Sequence, residues 1–279
     1  MPTVKSDSAF NLSSDYCLTD DQVREFRDNG HIHLVGICPP REIIKYRKIL
    51  KKVTEKRFKG IKPINDRPMD DFSRVFMQTF NIREVDNSIA RLIRSHRFGK
   101  IAADLLGVKA VRIYYDKVLF KEPGSRITPW HQDAPHWPLY SDNVLTIWIP
   151  LVNVTLDMGA PRFASGTHKD KQFGPRGIAD KTESFYENYI QENGIPVVNN
   201  EISIGDVTAH NHWVVHSAGA NRSKQVREAI GITFYEDGLR VDDTACDDIE
   251  KPVIDDNLGG RCPGQLADHP RNQIVFANS

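Results

Sequence analysis

The chain has 279 residues, enough for one large domain or two small ones. Its 37 Lys and Arg balance 37 Asp and Glu, which argues against a nucleic-acid partner, since such proteins carry a basic excess. Residues 1–10 lack a basic start followed by an apolar run, and there is no uninterrupted apolar stretch of about 18 residues, so neither a secretory signal nor a membrane span is expected. Cys17, Cys38, Cys246 and Cys262 are far apart, with no CxxC pair, and read as reduced thiols of a cytoplasmic protein.

Residues 1–17 are polar and read as a loose N-terminus, and residues 18–107 as a mostly helical flank. Thr19-Asp20-Asp21-Gln22 is a capping box that opens a helix ending near Gly30. His31 to Val35 reads as a short edge strand; its His31-x-His33 pair has no third ligand nearby, so a polar strand is preferred to a metal site. Pro39-Pro40 opens a second helix reaching about Phe58, with Ile43, Tyr46, Leu50 and Val53 as its buried stripe. Its other face carries Lys45, Lys48, Lys51, Lys52, Lys56 and Arg57 and reads as solvated rather than phosphate-binding. Phe72, Phe76 and Phe80 have helical spacing and serve either as core or as a substrate-pocket wall. A third helix is capped by Ser88, buries Ile89, Leu92, Ile93, Ile101 and Leu105, and closes at Gly107.

From Ala110 the period changes to two. Val111, Ile113, Tyr115, Lys117 and Leu119 share one predicted face, and Arg112, Tyr114, Asp116, Val118 and Phe120 the other. Lys117 on an inward face needs an anionic partner. A dicarboxylate cosubstrate would serve; so would Asp116 or Glu122 at the rim. The next landmark is Thr128-Pro129-Trp130-His131-Gln132-Asp133. In an extended strand, residues i and i+2 point to one face, so His131 and Asp133 can bind one metal ion together. A strand over Val144–Val154 follows, then a loop and short strand over Asp157–Lys169, and a helical insertion near 170–195. Glu201 to Asp206 reads as strand and turn, and His210-x-His212 as polar loop or pocket groups. His216 is the preferred third ligand. His168 and His136 are its rivals; His136 is an odd number of residues from His131 and suits a substrate contact better. Two histidines and one carboxylate that leave coordination positions open are the signature of non-haem Fe(II) oxygenases. Arg227 stands eleven residues after His216, opening the strand to Tyr235, and could grip a dicarboxylate cosubstrate through both of its terminal nitrogens. Arg222 is the next candidate for that role. The acidic segment Glu236–Asp256, with Asp242, Asp243, Asp247, Asp248 and Glu250, reads as a cover within a C-terminal tail over 236–279.

Phe120-Lys121-Glu122-Pro123-Gly124, Trp130-His131-Gln132-Asp133, Trp148-Ile149-Pro150-Leu151, Ser165-Gly166-Thr167-His168 and the run from His216 to Arg227 together resemble the phytanoyl-CoA dioxygenase family of Fe(II)/2-oxoglutarate-dependent oxygenases, over roughly residues 18–235. The resemblance implies a mainly β fold, a cupin-like double-stranded β-helix (jelly roll) over 108–235, flanked by helices in a single domain. It also implies Fe(II) on His131, Asp133 and His216, 2-oxoglutarate with its C5 carboxylate on Arg227, Trp148 near that cosubstrate, and O2 as co-reactant. Ala218 departs from relatives that carry a Ser there, although Ser217 is adjacent. The implied activity is oxidation of an apolar small molecule, most simply hydroxylation, with secondary metabolites, lipids and CoA thioesters all open as substrates. Trp130, Trp137, Tyr140, Phe163 and Trp213 cluster around the motifs, and Trp137, His136 and Phe163 are the candidate substrate contacts. A monomer or homodimer is expected. A metal-binding cupin-like isomerase or sensor is the alternative.

Overall fold

The structure, a computed structural model, describes residues 12–68, 72–139, 141–171, 174–175, 177–242 and 250–278. Its elements run in chain order as follows. Helix α1 (Asp20–Asn29), strand β1 (His31–Leu34) and helix α2 (Pro40–Arg57) come first. Strand β2 (Met77–Phe80), helices α3 (Asn87–Ile93) and α4 (His96–Leu106) and the long strand β3 (Ala110–Lys121) follow. Then come β4 (Thr128–His131), β5 (Val144–Pro150), β6 (Pro161–Ala164), α5 (Asp180–Glu192), β7 (Val197–Val198), β8 (Val207–Asn211), β9 (His216–Ala218), β10 (Arg227–Glu236), α6 (Glu250–Leu258) and β11 (Ile274–Ala277).

Two antiparallel sheets form the body. The large one runs β1-β8-β5-β10-β3, with β2 and β11 sharing the outer edge of β3 at its two ends. The small one runs β4-β9-β6-β7. This is the double-stranded β-helix that the motifs imply, with α1–α4 packed on the outer face of the large sheet and α5 against β4 of the small one.

Alternation along the strands decides which side faces what. Leu145, Ile147 and Ile149 of β5, Val207 and Ala209 of β8, and Ile230, Ile232 and Phe234 of β10 join one apolar core with Phe26, Leu50, Leu92, Phe98 and Ile101 of the helices. Each of the larger side chains, Ala209 aside, contributes about 1.5–3 kcal/mol on burial. The intervening residues face the space between the sheets.

Strand β3 breaks the simple alternation. Its pairing with β10 shifts between Thr233 and Phe234, so Tyr114 is an extra residue in a β-bulge. Val111 and Ile113 therefore face the helices, but beyond the bulge it is Val118 and Phe120 that do so, and Tyr115, Lys117 and Leu119 turn to the cavity. The single face expected from Val111 through Leu119 does not exist.

The helical flank matches its sequence signals, with two changes. The capping box at Thr19 and the left-handed Gly30 that closes α1 are both present. The third helix is two helices: Asp86, not Ser88, caps α3 by accepting from Ser88 N and Ile89 N, and the chain breaks at Arg94-Ser95 before α4. Phe72 and Phe76 lie on a 3-10 turn and the link to β2, and Phe80 on β2 itself, so their spacing is not helical. On the basic face of α2, Arg47 and Lys51 reach Glu228, at 2.6 Å and 3.7 Å.

Residues 12–17 are not loose. Leu12 is buried, its carbonyl accepts from Arg97 N, and Ser14 Oγ accepts from the Arg97 guanidinium. Residues 1–11 lie outside the described residues, as do Asp243, Asp247 and Asp248 of the acidic tail and Tyr140. The described part of the tail is built into the fold: β11 pairs with β3, and Ile254 and Leu258 of α6 pack against Tyr114, Tyr235 and Trp137. Among the described residues no helix is long and apolar enough to cross a membrane.

Candidate metal and cosubstrate site

Between the sheets lies a cavity of about 220 Å3. β4 ends at His131, β9 begins at His216, and the two strands pair so that these residues are direct partners. Asp133 follows β4 with helical backbone angles, at the start of a 3-10 turn, and its N–H donates to His212 O. Thus Asp133 meets His131 through a turn at the strand end, not along one strand face as the spacing suggested. His131, Asp133 and His216 each offer one ligand atom within 4.8 Å of the others. His131 Nε2 is 3.8 Å from Asp133 Oδ1, and His216 Nε2 is 4.0 Å from Asp133 Oδ2.

The donor set suits a metal ion. His131 Nδ1 donates to Pro129 O at 2.7 Å and His216 Nδ1 to Val214 O at 3.1 Å, which leaves both Nε2 atoms bare toward the cluster. Asp133 Oδ2 is buried with no hydrogen-bond partner. Burial pushes His131 down to about 3 and His216 down to about 4, so both are neutral ligands at pH 7. Burial alone would raise Asp133; the Lys117 ammonium and the neighbouring imidazoles outweigh it and hold the carboxylate well below its usual range.

Arg227 opens β10 at one end of the same cavity. It is 3% exposed, and burial lowers it to about 10, so it remains a cation. Its Nη1 donates to Gly159 O at 2.6 Å, its Nε is buried without a hydrogen bond, and its guanidinium lies 5.6 Å from the Trp148 ring centre. No carboxylate among the described residues pairs with it. Truly unpaired buried charges are costly, so this one calls for an anion from outside. Gly159 makes the approach possible: at φ 78° it abuts the Gly219 carbonyl, where a Cβ would collide.

The sequence model of the phytanoyl-CoA dioxygenase family matches residues 26–229. The chain belongs to the phytanoyl-CoA dioxygenase family. It is similar to a probable alpha-ketoglutarate-dependent hypophosphite dioxygenase of Stutzerimonas stutzeri, at 26% identity over 216 residues, 73% of each chain. Among solved structures it is similar to the non-haem alpha-ketoglutarate-dependent carbocyclase SnoK of nogalamycin biosynthesis, at 25% identity and a TM-score of 0.75, over 93% of this chain and 97% of that one. The epimerase SnoN, in complex with Fe3+, alpha-ketoglutarate and nogalamycin RO, shares the fold at 22% identity and a TM-score of 0.72, over 92% of this chain and 98% of that one. This family member is an enzyme, a dioxygenase dependent on iron, 2-oxoglutarate and O2 and acting on a small molecule.

Within this phytanoyl-CoA dioxygenase fold the expected site residues separate cleanly. Trp148, Lys117, Trp137, His136 and Phe163 line the cavity with His131, Asp133, His216 and Arg227. Lys117 pairs with neither rim carboxylate: Asp116 is bonded to Arg83, and Glu122 to Arg67 at 2.6 Å. Gly231 opposite leaves room for the Lys117 stem, which a Cβ would crowd at 3.2 Å. Lys121 points elsewhere, donating to Arg126 O, Val75 O and Thr128 Oγ1, and burial with Arg227 and Arg162 nearby lowers it to about 6. His168 is not among the cavity-lining residues and is bonded to Arg27 O at 3.0 Å. His136 sits on the 3-10 turn rather than a strand.

The aromatic wall differs from the one expected. Trp130 turns to α5, where its Nε1 donates to Glu187 at 2.8 Å, and Trp213 Nε1 donates to Ser141 O at 3.0 Å. Phe72, Phe76, Phe80 and Tyr115 take their places around the cavity. His31 is a satisfied strand residue, bonded to Ser165 Oγ at 2.8 Å and stacked on Phe163. Ser217 reaches the cavity beside Ala218, its Oγ accepting from Arg162 Nε at 2.9 Å. Of the two readings of His210, loop or pocket group, the structure has the pocket one. Its place on β8, opposite Thr146 of β5, turns it into the cavity, and the alternation Val207, Ala209 against Thr208, His210 was the available signal.

Proposed function

We propose that this enzyme oxidises a C–H bond of an apolar, ring-containing small molecule, most simply by hydroxylation, while 2-oxoglutarate becomes succinate and CO2. The observation that carries the reading is the meeting of two unsatisfied groups in one aromatic-walled cavity: a two-histidine, one-carboxylate cluster and a buried arginine without a carboxylate.

His131, Asp133 and His216 would hold Fe(II), which with 2-oxoglutarate and O2 supplies an oxidant strong enough for a C–H bond. The protein does the rest. Pro129 O and Val214 O keep the two imidazole rings in the tautomer that presents Nε2. Arg227 takes the C5 carboxylate of the cosubstrate, with Trp148 covering its guanidinium and Lys117 a second cation nearer the cluster. Trp137, His136 and Phe163, with Phe76 and Tyr115, orient the substrate and exclude water. Asp133 occupies the position that is a small residue in related halogenases, where halide takes its place, which favours oxygenation over halogen transfer. Carbocyclisation, named for one structural neighbour, is an oxidation that removes two hydrogens; epimerisation, named for another, leaves the substrate's composition unchanged. We further propose a single domain over 1–279, a cytoplasmic location, and a monomer or homodimer.

The test loads the protein with Fe(II), supplies 2-oxoglutarate, air and excess chloride, and screens ring-containing small molecules by mass spectrometry. A product that gains one oxygen or loses two hydrogens, with succinate formed in step, is expected. A chlorinated main product would contradict the assignment of Asp133.

A further inference from the structure

One buried polar side chain in the cavity has no role in the mechanism above. His210 on β8 is 5% exposed, and neither ring nitrogen has a hydrogen-bond partner. Its Nε2 stands 3.7 Å from Asp133 Oδ2, which is itself buried and unpartnered. The other carboxylate oxygen, Oδ1, faces His131 Nε2. The ring cannot withdraw: β8 is paired on both edges, with His31 and Thr146 opposite His210, and the ring is flanked by His216 at 4.5 Å and Phe163 at 5.4 Å.

Three orphaned polar atoms so close together are costly in a cavity wall unless something joins two of them. His210 lies outside the group of residues spaced to share one ion, so it is not a fourth ligand. A fourth protein ligand would also occupy a position that the cosubstrate or O2 needs. What remains is a donor aimed at the carboxylate.

We propose that His210 is a positioning residue whose Nε2–H donates to Asp133 Oδ2 and leaves Oδ1 as the single carboxylate oxygen for the metal. The proposal rests on the assignment of His131, Asp133 and His216 as ligands. Partners behind a ligating carboxylate commonly govern metal affinity by 10–100-fold. By occupying Oδ2, the imidazole keeps the carboxylate from closing on the ion with both oxygens and filling an open position.

The experiment titrates metal-free protein with Co(II) under argon, reading affinity by calorimetry and coordination number from the intensity of the visible cobalt bands. His210→Gln keeps an N–H donor at similar reach; His210→Phe keeps the ring volume without one. The Phe variant is expected to bind about 10–100-fold more weakly, with weaker cobalt bands as the carboxylate becomes bidentate, while Gln stays close to wild type. If the Phe variant does not fold, His210→Leu replaces it. A Phe or Leu variant with wild-type affinity and bands overturns the proposal; so does a Gln variant as impaired as Phe, which would mean that packing matters and the donor does not. Asp133→Ala, run alongside, separates the two assignments. If it binds Co(II) as wild type does, the ligand set itself is wrong; if it loses Co(II) while Phe is unaffected, only the role of His210 falls.

Discussion

On β10, Ile230, Ile232 and Phe234 point to the helices, while Arg227 and Gly231 point to the cavity. On β5, Leu145, Ile147 and Ile149 lie under the same helices, while Thr146 and Trp148 line the cavity. One set of strands thus builds two unlike surfaces. The helix side is mainly apolar packing, with Glu42 Oε2, Arg83 Nε and Ser95 Oγ as scattered buried atoms without partners. The cavity side carries buried groups left without partners: Asp133 Oδ2, both nitrogens of His210 and Arg227 Nε. Apolar packing is its own end, whereas unsatisfied polar groups persist where something outside the chain satisfies them. On the cavity side these groups share one cavity, which marks the site, and substitutions on the two faces should fail in opposite ways.

The largest effect is expected at the metal cluster. Asp133→Ala and His216→Ala should each lose iron, because two remaining donors are too few for this kind of site. Elemental analysis after anaerobic reconstitution checks it; full iron content in either variant would show that the ligands lie elsewhere. Folding should survive, since Asp133 has an unsatisfied oxygen and its removal opens no apolar core. The opposite-face control is Ile232→Ala, fully buried among the helices. It should destabilise the fold by about 2–5 kcal/mol and leave metal affinity of the folded fraction unchanged. Urea unfolding and a metal titration of the same sample distinguish the two behaviours.

A smaller, graded effect concerns acid. Burial lowers His131 to about 3 and His31, His212 and His216 to about 4, against about 6.5 in an unfolded chain. These rings are neutral when folded and take up protons on unfolding. Stability of the metal-free protein should therefore fall as pH drops through the window from about 6.5 to about 4, by at most about 1.4 kcal/mol per pH unit for each histidine. The urea midpoint at about pH 5.5 should lie clearly below that at about pH 7.5; equal midpoints would mean that these rings are not held neutral. Asp133, whose pKa is depressed, loses its contribution only below the usual carboxylate range and so does not mimic the effect.

Much of this contrast was legible in the sequence. The capping box at Thr19, the Gly30 and Gly107 stops and the period-two runs of β3, β5 and β10 rest on local chemistry, and they appear where that chemistry puts them. His131, His216 and Arg227 converge on one cavity because each sits at the end of a strand, and Asp133 joins them through the turn after β4. What was hidden depends on pairing between distant strands. The bulge at Tyr114 leaves the alternation of β3 intact to the eye, and only its shifted register with β10 puts Tyr115 and Lys117 on the face opposite Val111 and Ile113. Phe72, Phe76 and Phe80 keep a four-residue spacing while passing from a 3-10 turn into β2, since pairing with β3 overrides the local pattern. The choice between loop and pocket for His210 stayed open because its strand is defined by β1 and β5 on either side.

The central claim is that the incomplete face is completed by an iron-bound dicarboxylate, with Arg227 holding its far end. The most direct measurement compares 2-oxoglutarate with 2-oxopentanoate, which has the same chain but a methyl in place of the C5 carboxylate. Binding of each is measured anaerobically to Mn(II)-loaded wild type and Arg227→Ala. Wild type should prefer 2-oxoglutarate by about 2–5 kcal/mol, the usual cost of truncating one partner of a buried charged pair, and the preference should collapse in Arg227→Ala. A variant that keeps the wild-type preference would contradict the account, because the C5 carboxylate would then be held by another residue.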